Sequence, residues 1–341
     1  MKTMNWLLAG SLIFHAVSPE LFSMETDRPN WVRAVEHAPW TPRDSCGEFV
    51  FRGKMWLVGG WVAMNGPGPR DVWSSSDGAD WTRGVGEAPW THADLSTSLV
   101  YDGKMWLMGG WCGGRDASAS ASNAVWFSED GANWTCATKA AAWTARLGAG
   151  GVVFDGKMWI LGGLERYFDG SPEALRNDVW FSTDGKTWTR AVEKAPWAPR
   201  AFHGAVVFDD KIWVMGGGNY RPEFTGYNDV WNSADGVNWT KVTEHAPWAG
   251  RIWFSADIYR NRIWIMGGWS DKPSVNWNDV WYTRDGRTWN ELKTEAVWSK
   301  RHEQSFYVFA DQFWIAGGNE WPLVNDVWRI DIPESFLREK K

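Results

Sequence analysis

The stretch WAPRAFHGAVVFDDKIWVMGG at 197–217 decides the fold, because the chain repeats its pattern six times. Each copy starts at a tryptophan, reaches a second tryptophan 16 residues later, and ends in a Gly-Gly pair three residues after that. A repeat of about 50 residues is typical of solenoids and propellers, in which each unit buries its apolar face against its neighbours. The first tryptophans of the six repeats are Trp40, Trp90, Trp143, Trp197, Trp248 and Trp298.

Each repeat contains the pattern of four β-strands. The runs GAVVF at 204–208 and KIWVM at 211–215 are short and apolar throughout, as expected for strands covered on both faces. A third strand carries Asn-Asp-Val-Trp, and a fourth begins at a tryptophan such as Trp239, after an Asp-Gly hairpin turn. Four antiparallel strands per repeat predict an all-β fold, a six-bladed β-propeller.

The sixth repeat has no fourth strand after Trp328. The segment NWVRAV at 30–35 matches the fourth strand NWTKV at 238–242, and it precedes Trp40 at the usual distance. We therefore expect the N-terminal strand to close the last blade and leave no loose sheet edge. The predicted propeller covers 25–333, with a C-terminal tail at 334–341.

Tryptophan is the most unusual feature of the composition. Four repeated positions in six blades, with Trp31 completing the last blade, account for 24 of the 31 tryptophans. An aromatic side chain buries about 150–250 Å², so we expect these positions to pack between neighbouring blades. The alternative interpretation of the repeated tryptophans is an array that stacks on sugars.

The remaining composition limits the location and the partners. Lys2, an apolar run at 6–17 and then small residues resemble a secretory signal peptide at 1–24, which predicts a periplasmic or secreted protein. The alternative is an irregular N-terminus with translation starting near Met24.

A net charge of -6 argues against a nucleic-acid partner, and no apolar run is long enough to span a membrane. Three cysteines are expected to be free thiols, although a bridge between Cys46 and Cys112 stays open.

These repeats resemble the kelch family, which has a double glycine after the second strand, spaced aromatics and about 50 residues per blade. The resemblance covers roughly 28–333 and implies a kelch-type propeller. Trp73 and its equivalents stand where kelch repeats commonly have tyrosine. The Asp-Gly hairpins also resemble the sialidase Asp-box, which is a turn remote from the sialidase active site.

One face of the propeller is expected to carry the function. Only one interval varies between repeats, from the second glycine of the pair to the third-strand tryptophan, at 13, 16, 17, 14, 13 and 10 residues. Loops that vary on a rigid scaffold commonly carry binding specificity. These loops leave the blade on the same face as the connections into each first strand.

Arginines recur on that face three residues after the first tryptophan, and only blade two departs, with Ala93. Two interpretations stay open. In one, the arginines are structural and bond backbone carbonyls between blades; in the other, they form a rim that pairs with an anionic ligand, as in kelch domains that bind acidic peptides. The five are Arg43, Arg146, Arg200, Arg251 and Arg301.

A second set of residues breaks the repeat on the same face. In or near the first strands these are Asp44, Asp94, His203, Trp253, His302 and Glu303. In the variable loops they are Trp61, Trp111, Tyr167, Tyr220, Trp269, Trp277 and Trp321. Aromatics around a polar pocket suit sugar rings or peptide side chains, while the alternative is that they only cap the blades.

The sequence predicts a monomeric binding module for a carbohydrate, an acidic sugar or a peptide. Candidate ligand-binding residues are the five arginines, His203, His302, Glu303, Trp61, Trp111, Trp253, Trp269 and Trp321. No cofactor or metal is expected, because two scattered histidines do not make a metal site and no Cys–Tyr pair resembles that of the copper oxidases. One alternative is a cofactor-free sugar mutarotase or epimerase, since six-bladed sialate mutarotases resemble this chain at the level of the fold. The other is a structural interaction domain.

Overall fold

A computed structural model describes residues 29–62, 67–114, 120–168 and 171–337. The predicted signal segment at 1–24 lies outside the described residues. The described chain forms six four-stranded antiparallel sheets, each made of consecutive repeat strands, so the predicted six-bladed β-propeller is confirmed. None of the described helices is both long and apolar enough to cross a membrane.

The strands follow the repeat from the centre of the propeller outward. Blades one to three consist of Gly47–Phe51, Lys54–Val58, Val72–Ser75 and Thr82–Val85; Thr97–Tyr101, Lys104–Met108, Val125–Ser128 and Trp134–Thr138; Gly150–Phe154, Lys157–Leu164, Leu175–Ser182 and Thr189–Val192. Blades four and five consist of Gly204–Phe208, Lys211–Met215, Val230–Ser233 and Thr240–Thr243; Ser255–Ile258, Ile263–Met266, Val280–Thr283 and Trp289–Glu291.

Blade six is closed by the N-terminal strand, as predicted. It contains Ser305–Phe309, Gln312–Asn319 and Leu323–Ile330, and its outer strand is Val32–Val35. The outer strand pairs antiparallel with its neighbour, with Arg33 opposite Trp328. This pairing joins the two ends of the ring without a covalent bond.

The variable loops carry further secondary structure above the blades. A 3-10 helix lies in blade three at Pro172–Ala174. Small two-stranded hairpins are formed by Trp111–Cys112 with Ser120–Ala121, Gly218–Asn219 with Thr225–Gly226, and Trp269–Asp271 with Ser274–Asn276.

After blade six, a short α-helix at Glu334–Leu337 lies against blade five, where Arg262 Nη2 donates to the Leu337 carbonyl at 2.6 Å.

The first tryptophan of each repeat contacts the fourth-strand tryptophan of its own blade edge to face. Trp40 and Trp81 are one such pair, with ring centroids 6.1 Å apart, and Trp298 and Trp31 repeat the contact in the closing blade. All six first tryptophans are at most 1 % exposed. These contacts hold the entrance of each blade against its outer strand.

The second tryptophan of each repeat reaches the next blade. The Trp314 ring lies under the Asp-Gly turn at Gly78, where φ is +76° and a Cβ would overlap the ring. Glycine therefore supplies both the conformation and the space at this turn. The apolar clusters unite adjacent blades in the same way, as Trp56 and Leu107 share one cluster, so the predicted packing between blades is confirmed.

The three cysteines are free thiols in this fold. Cys46 lies beside the propeller axis, where its Sγ is 3.6 Å from the Gly59 carbonyl oxygen. Burial is the main reason that the pKa of the Cys46 thiol is raised far above its usual range. This thiol is therefore protonated and unreactive at neutral pH.

Candidate functional site

Six residues, one from each blade, form a closed ring of backbone hydrogen bonds around the propeller axis. Each lies five residues after the first tryptophan of its repeat, and each has a φ between +52° and +60°. The N–H of each donates to the carbonyl of the equivalent residue in the preceding blade, at 2.8–3.3 Å, and Ser45 N to Glu303 O completes the circle. We name this set the floor ring: Ser45, Leu95, Gly148, Phe202, Trp253 and Glu303.

The floor ring separates two spaces on the axis. On the side of the variable loops lies a cavity of about 270 Å³, which we call the central cavity. On the other side lies the central channel, which is lined by the first strands. Side chains of Ser45, Leu95, Trp253 and Glu303 line both spaces. The floor ring therefore closes the base of the central cavity, and the cavity opens toward the variable loops.

Backbone pairing also positions the next layer of side chains. The residue before each floor-ring residue pairs with the residue after the Gly-Gly pair, as Asp44 does with Trp61 and His302 with Asn319. In the first of these pairs Trp61 N donates to Asp44 O at 2.9 Å. The cavity-lining residues that directly follow a Gly-Gly pair are thus held by backbone hydrogen bonds to its base; they are Trp61, Trp111, Trp269 and Asn319.

One half of the central cavity is polar, and blades six, one and two supply it. Asn319 Nδ2 donates to Asp44 Oδ2 at 3.0 Å, and His302 Nε2 lies 3.6 Å from Glu303 Oε2. A carboxyl oxygen of Asp44 and one of Glu303 also lie within 4.8 Å of each other. Asp94 adds a third carboxyl group, which is buried.

Burial dominates the ionisation of this polar half. It raises the pKa of Asp44 to about 7. It also raises the pKa of Glu303 well above its ordinary value, with the charges of Asp44 and Asp94 adding to the effect. Burial and the Asp44 charge raise the pKa of Asp94. Burial also lowers the pKa of His302 to about 3, so its imidazole is neutral. These groups can accept or donate hydrogen bonds to a ligand near pH 7.

The other half of the central cavity is aromatic, and mainly blades two to five supply it. Trp253 is at its centre, with its ring stacked on His302 at 5.0 Å and 4.9 Å from the ring of Tyr220. Trp321, which is 62 % exposed, stands at the rim. The complete aromatic wall is Trp61, Trp111, Tyr167, Phe168, Tyr220, Trp253, Trp269 and Trp321.

The five repeated arginines lie outside the central cavity. Each is at most 1 % exposed, and each binds the aspartate of the Asp-Val-Trp sequence at the third strand of its own blade with two nitrogen atoms. Arg251, for example, donates to both Asp279 oxygens at 2.5 and 2.8 Å and to the Gly267 carbonyl at 2.9 Å. The guanidinium groups thus have structural contacts, but these lie within one blade and not between blades, so that part of the structural interpretation is wrong.

The sequence contains a signal for this pairing. Blade two lacks the arginine, with Ala93 in its place, and it also lacks the aspartate, with Ala124 in its place. The two charged residues are thus lost together in the one blade that departs from the pattern. That joint loss identifies them as partners within a blade.

The structure brings together most of the other predicted ligand-binding residues. His302, Glu303, Trp61, Trp111, Trp253, Trp269 and Trp321 all line the central cavity, as do Asp44 and Asp94. His203 faces the central channel instead, where burial and the charge of Arg200 lower the pKa of its imidazole to about 3. Trp277 packs over Arg251 beside the cavity.

Sequence reasoning missed several cavity residues. Asn319 follows directly after a Gly-Gly pair, where other blades have tryptophan, leucine or glycine, and this difference was a usable signal. The floor-ring position was a second signal, because its six residues are all different in a chain that repeats regularly elsewhere. The missed residues are Ser45, Leu95, Gly114, Phe168, Ser274 and Asn319.

No protein-family model matches this chain. Part of the chain is 30 % identical over 178 residues to the dynein alpha chain of the flagellar outer arm of Chlamydomonas reinhardtii, a match that covers 46 % of this chain and 4 % of that protein. Another part is 28 % identical over 134 residues to the leucine-zipper-like transcriptional regulator 1 homolog of Drosophila melanogaster, covering 37 % of this chain and 13 % of that protein. The chain therefore corresponds to a small fraction of either relative.

Among solved structures, the chain is similar to YjhT. The two share a TM-score of 0.68 and 17 % sequence identity, and the superposition covers 87 % of this chain and 97 % of that chain. At this identity the likeness shows the propeller fold alone. The kelch resemblance of the repeats stays a prediction.

Proposed function

We propose that this propeller is a binding module for a neutral carbohydrate, with the ligand in the central cavity. The observation that supports this proposal is the division of the cavity into an aromatic wall and a facing set of carboxyl groups. The C–H face of a sugar ring packs on tryptophan and tyrosine, while its hydroxyl groups need acceptors and donors on the other side. Asp94, Asn319 and His302 supply such groups.

The size of the cavity favours a single sugar ring. A volume of about 270 Å³ is near the lower end of ligand pockets, which span about 300–1,000 Å³. The floor ring closes the base, so a longer glycan would leave past Trp321 at the rim. This geometry favours the terminal residue of a glycan over an internal one.

The electrostatics favour a neutral sugar over an acidic one. Among the described residues that line the central cavity, none is lysine or arginine, whereas three are carboxylic acids. A uronic or sialic acid would bring a carboxylate into a desolvated site that offers no lysine or arginine to pair with it, and burying an unpaired charge is costly. The acidic-sugar and peptide alternatives of the sequence are therefore less favoured by the cavity.

Calorimetric titration tests this function. Neutral methyl hexosides are titrated into the wild type, Trp269→Ala and the control Trp277→Ala, with glucuronic acid and a short acidic peptide as comparison ligands. Trp269 lines the cavity and Trp277 of the same blade does not, so we expect at least about a tenfold loss of sugar affinity only in the first variant.

Three outcomes would overturn the proposal. They are binding of the acid or the peptide without binding of neutral sugars, equal loss in both variants at equal melting temperature, and accelerated exchange of sugar anomers. The last outcome, followed by NMR on the free reducing hexose, would support the mutarotase alternative instead.

A further inference from the structure

Three side chains at the seam between blades six and one bring metal-ligating atoms together. Asp44, His302 and Glu303 each place one such atom within 4.8 Å of the other two. One ion about 2.1 Å from each donor needs donor separations up to roughly 4.2 Å, which small side-chain rotations supply. The three residues are held on a rigid base, because Glu303 belongs to the floor ring and both Asp44 and His302 are fixed by backbone pairing.

The hydrogen bonds around His302 determine which ring nitrogen is free. Asn276 Nδ2 donates to the Asn319 carbonyl at 3.0 Å, so Asn276 Oδ1 is the atom that faces His302 Nδ1, at 2.7 Å. Nδ1 must therefore carry the hydrogen and donate it. The lone pair is left on Nε2, which is the nitrogen on the side of Glu303. An oriented imidazole of this kind is the usual arrangement of a metal-ligating histidine.

The carboxyl groups of this region have unused binding capacity. Asp94 is 7 % exposed, and its Oδ1 has no hydrogen-bond partner among the described residues; the same holds for Glu303 Oε1. Lysine and arginine are absent from the described residues that line the central cavity, so no side-chain cation balances the three acids. A buried acid without a partner is costly unless a ligand satisfies it, and a cation satisfies several at once.

We propose that the central cavity binds one divalent transition-metal ion through Asp44, His302 and Glu303. One imidazole nitrogen and two carboxylate oxygens suit zinc or manganese better than magnesium, which prefers oxygen ligands alone. Asp94, which lines the same cavity, would be available to accept a hydrogen bond from a water on the ion. This inference goes beyond the carbohydrate proposal and does not depend on it.

The test is a metal titration of chelator-treated protein in the absence of sugar. Zinc and manganese chlorides are titrated by calorimetry, with magnesium as a comparison, and cobalt is added for its visible absorption spectrum. We expect one ion per chain, a rise in melting temperature with zinc, and at least about a tenfold weaker affinity in Asp44→Asn and in His302→Gln. The matched controls are His203→Gln and Asp257→Asn, a buried imidazole and a half-buried acid of the central channel, which should bind like the wild type.

Results with the wild type and results with the variants can each overturn the proposal. The proposal is overturned if zinc, manganese and cobalt all fail to saturate the wild type, a result that does not require any variant to fold. It is also overturned if Asp44→Asn, folded by circular dichroism, keeps full affinity. Because sugar is absent from every titration, neither result bears on carbohydrate binding.

Discussion

At the scale of single residues, the buried Arg–Asp pairs show how repeated charges can be structural. Each guanidinium joins three parts of one blade, namely the connection into the first strand, the end of the second and the start of the third. Burial raises the pKa of Asp229, but the hydrogen bonds and charge of Arg200 outweigh it and keep that pKa below its ordinary value. The pair is thus ionised throughout the neutral range.

Blade two supplies the comparison for a stability prediction. Asp279→Ala leaves Arg251 buried without a partner and should cost about 3–5 kcal/mol of unfolding free energy. The double variant Arg251→Ala with Asp279→Ala reproduces the alanine pair of blade two, and it should cost clearly less than the sum of the two single changes. Urea denaturation of the four proteins measures the coupling. Additive losses would mean that the pair is not the unit of stability.

Glu48 makes the unfolding free energy of the protein depend on pH. It lies in the first strand of blade one, where Oε2 accepts from Phe306 N at 2.9 Å. Burial raises its pKa to about 8, with the charge of Asp257 adding to the effect, and Cys46 and Tyr307 are the other titratable groups close to it. Since the folded-state pKa is above the unfolded value, the stabilising contribution is complete at low pH and is lost as pH rises through about 8.

Glu48→Gln should therefore flatten the pH dependence of stability. We expect the unfolding free energy of the wild type to fall between pH 5 and pH 8.5, with a slope of at most about 1.4 kcal/mol for each step of one in pH, and that of the variant to fall less. Denaturant titrations at the two pH values measure the difference. A parallel fall in both proteins would show that Glu48 is not the group responsible.

At the scale of elements, the closing strand is where the ring is joined. Val32–Val35 is the outer strand of blade six, and its anchor is Trp31, which is 2 % exposed and packs on Trp298. The equivalent contact in blade one, between Trp81 and Trp40, belongs to a strand that is continuous with its blade. The same side-chain contact therefore has a different role at the seam.

Matched tryptophan variants separate these roles. Trp31→Ala and Trp81→Ala should each cost about 3–5 kcal/mol. Only Trp31→Ala should release the outer strand of blade six, because no covalent connection joins that strand to its sheet neighbour. Limited trypsin digestion under native conditions reads this out as cleavage at Arg33. Cleavage at similar rates in both variants would indicate general unfolding instead of a local opening.

At the scale of the whole molecule, the repeats predicted the fold because a sequence pattern shared by six copies can be recognised even where one copy departs from it. The strands, the Asp-Gly turns and the closure by 30–35 could all be found by alignment of the chain with itself. The same alignment directed attention to the arginines, which recur because each stabilises its own blade. The central cavity depends on positions where blades differ and on contacts between adjacent blades, such as Asn319 with Asp44, that a linear pattern does not contain.

The floor ring has a consequence for how such a protein can change. Its six hydrogen bonds use only backbone atoms, so the side chain at each position is free to vary as long as a positive φ is tolerated, at about 1–2 kcal/mol for a residue other than glycine. Gly148 is more constrained, since a Cβ there would meet the Phe202 ring. The side chains at the other five positions can be exchanged without loss of the backbone hydrogen bonds. A new ligand specificity can therefore evolve, or be engineered, by substitution of one floor-ring residue at a time while the surrounding blades keep their sequence.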